Sequence, residues 1–67
     1  MKVEYDAKSD TLTVIFKDGV VAESDEGKTG VILDYDAAGA VIGLEILNAS
    51  ARTDNPRNVD FAVLASV

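Results

Sequence analysis

The chain has 67 residues and a mass of 7.1 kDa, twelve acidic residues against six basic ones for a net charge of -6, and neither cysteine nor histidine. That length allows one domain with a thin core, since nine of the apolar residues are alanines and a domain this small buries only about 60% of the surface its unfolded chain exposes. The missing residue types exclude a disulfide framework, thiol nucleophiles, a histidine general base and the usual zinc ligand sets, and the negative charge is the wrong sign for nucleic acid or an anionic membrane.

Residues 1–6 carry two acids and no apolar run, and no stretch approaches the roughly 18–20 apolar residues of a membrane span. Neither a signal peptide nor a membrane segment is predicted, and a cytoplasmic location is expected. Val3 and Tyr5 alternate with Lys2 and Glu4, and after a polar run over 6–10 the alternation resumes at Leu12, Val14 and Phe16. This period of two predicts a β-hairpin, with Asp and Ser side chains accepting backbone N–H groups in the turn. Asp18-Gly19 offers a second hairpin signal, so a third strand over 20–24 is expected to pair back on the second.

Residues 25–30 read as a polar link. A fourth strand follows over 31–35, then a turn at Asp36-Ala37-Ala38-Gly39, then a fifth strand with Ile42, Leu44 and Ile46 on one face. Asp and Gly stand where a type I turn followed by a left-handed residue wants them. Gly43, inside that strand, predicts a bulge or a close backbone approach. The segment 48–58 is polar, holds the only proline and both arginines, and reads as a loop. The C-terminal run is ambiguous: Phe61, Val63 and Ala65 fit a strand, whereas Val59, Ala62, Val63 and Ser66 fit one helical stripe. A strand over 61–65 is favoured, because the run is short for a free-standing helix.

Asp34, Asp36, Gly39 and Glu45 match four of the five named positions of a calcium loop, with Ala38 the departure. A hard cation needs several oxygens gathered by one tight turn and a distal Glu closing the shell. Here the flanks are β-patterned, so an extended strand carries Glu45 roughly 20 Å from Gly39, and a hairpin turn with solvated acids is the stronger reading. No carboxylate pair for acid and base work is specified among Asp10, Asp34, Asp36 and Glu45. Tyr5, Phe16, Tyr35 and Phe61 read as core aromatics, since the chain has too little basic charge to stack single strands. Asn48-Ala49-Ser50 satisfies a glycosylation sequon only formally. Arg52 and Arg57 are candidates for anchoring a partner's carboxylates, or for pairing with this chain's own acids at little net energy.

Four segments together carry a resemblance: Lys2-Val3-Glu4-Tyr5-Asp6, then Asp10-Thr11-Leu12, then Gly30 to Asp36 with Gly39, and finally Gly43 to Arg52. On these residues the chain resembles a family of small bacterial and archaeal proteins known as a domain of unknown function, over almost its whole length. Members commonly have an acid where Asn48 stands and a basic residue where Ala51 stands. The resemblance implies a small, mainly antiparallel β module and supplies no catalytic residues.

The sequence therefore predicts a mainly β protein, a small antiparallel meander of five or six strands in one domain. Its expected core is Val3, Tyr5, Leu12, Val14, Phe16, Leu33, Tyr35, Ile42, Leu44 and Ile46. The expected role is a non-enzymatic interaction or regulatory module without a cofactor. It is expected to self-associate, most simply as a dimer, with a heterologous protein partner as a further expectation. The alternative is weak calcium binding through Asp34, Asp36 and Glu45.

Overall fold

Alternating side chains and closable turns produce strands over most of the chain. The computed structural model describes residues 1–65. Its elements are β1 (Lys2–Asp6), β2 (Thr11–Ile15), β3 (Glu23–Lys28), β4 (Val31–Tyr35), β5 (Val41–Leu47) and α1 (Ala49–Arg52). The five strands form one antiparallel sheet in the order β1-β2-β5-β4-β3. The mainly β, antiparallel architecture is as the sequence predicts, but the strands do not follow chain order: a hairpin (β1, β2) sits beside a three-stranded unit (β5, β4, β3).

The join between those units explains one correction. β2 pairs with β5, matching Leu12 with Ile46 and Val14 with Leu44, so both of its edges are occupied and no strand over 20–24 can return to it. The third strand lies instead at Glu23–Lys28 and pairs with β4. Most of the stretch read as a polar link is thus an edge strand, every residue of it exposed. Lys28 pairs with Val31 across a two-residue turn in which Gly30 supplies a φ of 81°. The Glu26 carboxylate accepts the Gly30 N–H at 2.7 Å. The turn after β4 forms as expected: the Asp36 carbonyl accepts the Gly39 N–H at 3.0 Å, and one Asp36 carboxylate oxygen accepts the N–H groups of Ala38 and Ala40.

Register sorts the side chains by face. Val3, Tyr5, Leu12, Val14, Leu44, Ile46, Val31 and Leu33 share one face, and Glu4, Thr13, Ile15, Glu45, Gly43, Ile32, Asp34 and Ser24 the other. A bulge in β5, where Asp34 pairs with Gly43 but Tyr35 with Val41, adds one residue to that strand. Gly43 meets both expectations for it. It stands at the bulge, and a Cβ there would lie 3.3 Å from a carboxylate oxygen of Asp34 and 3.4 Å from the Val14 carbonyl oxygen.

Two further expectations are corrected. The polar segment 48–58 contains the single helical turn α1, and residues 61–65 form no strand and no helix; Ser66, the last residue of the alternative helical stripe, lies outside the described residues. Of the expected core, Leu12 and Ile42 are buried, while Val3 and Phe16 are exposed and the others half-buried. Ala49, not expected in the core, is fully buried. The reason is that one sheet has no second layer. Pro56, Arg57 and Val59 line a cleft with Val3, Tyr5 and Leu12 at one corner of the apolar face. The β2–β3 connection packs Gly19 against Ile42. The accessible surface of 5174 Å² exceeds by about 1,100 Å² the ~4,100 Å² of a compact monomer of this mass.

Ile42, 3% exposed, is therefore one of few side chains whose truncation opens a cavity. Ile42→Ala is expected to lower the unfolding free energy by about 2–5 kcal/mol in urea titration. Val20→Ala, at an 83% exposed position, is expected to stay within about 0.5 kcal/mol.

Candidate functional site

Two polar clusters and one apolar surface stand out. The first cluster centres on Asp10, which sits in the left-handed region at φ 54° at the end of the β1–β2 turn. Aspartate tolerates that conformation better than most residues. Its backbone carbonyl accepts the Ala49 N–H at 3.0 Å, and its carboxylate accepts the Ser50 N–H at 3.0 Å, the Ser50 hydroxyl at 2.6 Å and the Tyr5 hydroxyl at 2.7 Å. Asn48, at the N-terminal boundary of α1, also has a positive φ, of 53°, and makes no side-chain cap. Asp10 thus satisfies the first helical N–H groups from forty positions away, a task normally done by the residue preceding the helix.

The donors around Asp10 set the proton affinities there. The Ser50 hydroxyl, followed by Tyr5, stabilises the carboxylate and holds Asp10 below the usual carboxylate range. The same hydrogen bond, donated to an anion, pushes the Tyr5 phenol up. The Arg57 guanidinium stands over the Tyr5 ring at 5.7 Å from its centroid, within reach of a cation–π contact. The cluster joins four chain segments: Tyr5 from β1 and Ser50 from α1 donate to Asp10 in the turn, and Arg57 from the segment after α1 stands over the Tyr5 ring.

The second cluster lies on the opposite face. Asp34 is 7% exposed, and the Ser24 hydroxyl donates to its carboxylate at 2.6 Å. Asp34 pairs with Gly43 while Ile32 pairs with Glu45, which makes Asp34 and Glu45 diagonal neighbours on one face. Interaction with the Asp34 carboxyl, then burial, raises the Glu45 carboxyl above its ordinary value. Asp36 does not join them, because its carboxylate closes its own turn. Of the three residues in the predicted calcium loop, the sheet brings two together and keeps the third apart. Among the described residues no group of three or more acidic side chains could hold a metal ion.

Both arginines are engaged within the chain. Arg52 Nη2 donates to the Thr29 carbonyl at 2.7 Å, and its guanidinium lies so close over Gly30 that a Cβ there would fall 2.6 Å from Nη2. Arg57 is held against Tyr5 as described. Sequence reading missed the Asp10–Ser50 contact altogether; its only local signal is the Asp and Ser content of two separate turns. Among the described residues no helix is long and apolar enough to cross a membrane.

A family model described as a protein of unknown function, DUF2283, matches residues 2–50. The chain belongs to the DUF2283 family. The match closes at Ser50, so it contains both halves of the Asp10 contact and leaves Arg52, Arg57 and the apolar C-terminal segment outside the DUF2283 region. An uncharacterized protein of Methanocaldococcus jannaschii, MJ0789, is 36% identical over 50 residues, an alignment covering 75% of this chain and 42% of the relative. The aligned stretch therefore spans about two-fifths of that relative's length. No solved structure matches the chain.

The two clusters predict opposite pH dependences. Asp10 has a lowered folded-state pKa, so its contribution to stability is present above the unfolded value of about 4 and is lost as pH falls through the folded value. Glu45 has a raised folded-state pKa, so its contribution is present below the unfolded value and is lost as pH rises through the folded one. In urea titrations from acid to neutral pH, Asp10→Asn is expected to destabilise most at neutral pH and least in acid. Glu45→Gln is expected to stabilise at neutral pH, with its gain vanishing in acid. Parallel pH profiles for wild type and both variants would contradict these assignments.

Proposed function

We propose that the chain is a non-enzymatic interaction module that forms a homodimer through the apolar face of its sheet. The supporting observation is that face itself. Val14, Val31, Leu33, Leu44 and Ile46 lie side by side across three central strands, yet none is buried. A soluble monomer rarely leaves a contiguous apolar patch of this kind uncovered. A second copy is the simplest occupant, because a two-fold axis makes every contact between the copies twice.

Non-enzymatic action is supported by the chemistry of the polar clusters. The Asp10 carboxylate is filled by donors, the Ser24 hydroxyl is spent on a hydrogen bond to Asp34, and no histidine or cysteine exists to activate a nucleophile. The proposal carries a cytoplasmic setting with it, in keeping with the acidic, cysteine-free composition.

Light scattering on the untagged protein across a dilution series tests this reading. A mass of twice the chain is expected at high concentration. Because each copy carries a net charge of -6, raising ionic strength is expected to tighten the dimer by screening repulsion. The chain mass at every concentration and salt level would contradict the proposal and point to a heterologous protein as the occupant of the face.

A further inference from the structure

The C-terminal segment after the last structured turn is the least explained part of the molecule. Phe61, Val63 and Leu64 are 82%, 81% and 87% exposed, and Val59 is exposed as well. Segments that stay outside a fold are ordinarily polar. This one carries a single charge, Asp60, and is otherwise apolar between 59 and 65. It lies beyond the residues that the family model matches.

Its starting point is fixed at the apolar face. Val59 lines the cleft formed with Val3, Tyr5, Leu12, Pro56 and Arg57, so the segment leaves the molecule from the β1–β2 corner. Seven residues in extended form reach roughly 23 Å. Five strands spaced about 4.8 Å apart make a sheet roughly 19 Å across. The segment is thus long enough to cross a whole sheet face, yet within its own chain it leaves Leu33, Leu44 and Ile46 half-exposed.

We infer that residues 59–65 of one copy lie across the apolar face of a second copy, in a reciprocal exchange about the dimer axis. The inference rests on the dimer proposed above and deepens it by naming the segment that covers the face. Each tail then buries Phe61, Val63 and Leu64 against the partner's Leu33, Leu44 and Ile46. A half-exposed apolar face and an unburied apolar segment are satisfied by one contact, made twice. Exchange of this kind is a short route to a closed dimer, because the same contact serves both copies.

The test compares the full chain with a chain lacking residues 59–67, together with a spin-label exchange. Loss of the segment is expected to raise the dimer dissociation constant by at least about tenfold. An unchanged dimer in the shortened chain would overturn the exchange while leaving self-association standing. A monomeric full chain would overturn the dimer and the exchange together. Should the shortened chain fail to fold, the label decides the matter. The protein has no cysteine, so Asp60→Cys places one nitroxide beside Phe61 without touching the apolar residues. Mixed with an isotope-labelled, nitroxide-free copy, it is expected to broaden the methyl signals of Leu33, Leu44 and Ile46 in that copy. Unchanged methyl signals in the nitroxide-free copy would overturn the inference.

Discussion

A single sheet has two faces, and a chain of 67 residues has little left over to cover either. Every other feature of this molecule answers to that constraint. The register gathers most of the branched aliphatic residues of β1, β2, β4 and β5 onto one face, but the segment after α1 covers only its corner at Tyr5 and Leu12. The opposite face is smaller in apolar content and is packed in part by the β2–β3 connection over Ile42. Hydrophobic burial scales with the apolar area removed from water, so a sheet left this open draws much of its available stabilisation from whatever covers it. On the proposed reading, function and stability converge on one surface.

Within the chain, Asp10 does the work that a larger core would do elsewhere. A hairpin and a three-stranded unit share one edge-to-edge seam, β2 with β5, and that seam alone leaves the ends free to twist apart. Asp10 ties the turn of the hairpin to the residues immediately after β5, through both its backbone carbonyl and its carboxylate. Charge-assisted hydrogen bonds are stronger than neutral ones. Two such bonds from Ser50 and one backbone bond from Ala49 close forty residues of chain and fix the seam without apolar mass. The family match runs from β1 to Ser50, the stretch that this contact closes.

Much of the fold was legible because its strands obey period two and its turns use familiar chemistry. The hairpin of β1 and β2 and the Asp36–Gly39 turn followed directly from alternation and residue type. β3 escaped notice because it is an edge strand with every side chain exposed, so it lacks the hydrophobic alternation that marks a strand, while Val20 and Val21 just before it drew attention to a connection. The pairing of β2 with β5 is long-range and leaves no local signature. A helix of one turn is too short for periodicity to reveal, and its cap comes from a residue forty positions distant. The spacing of the candidate calcium loop does not carry over into the fold for a related reason. Linear spacing put Asp34, Asp36 and Glu45 together, whereas strand pairing joins Asp34 to Glu45 and turn geometry claims Asp36.

The central claim is that the apolar face is covered in solution by a second copy. Its most direct measurement is the effect of a soluble paramagnetic probe on methyl signals from the two faces, followed from concentrated to dilute protein. Strong protection of Val14, Leu33, Leu44 and Ile46 that fades on dilution, with Thr13 and Ile32 on the opposite face unchanged, is the expected result. Full access of the probe to Leu33, Leu44 and Ile46 at every concentration would contradict the account.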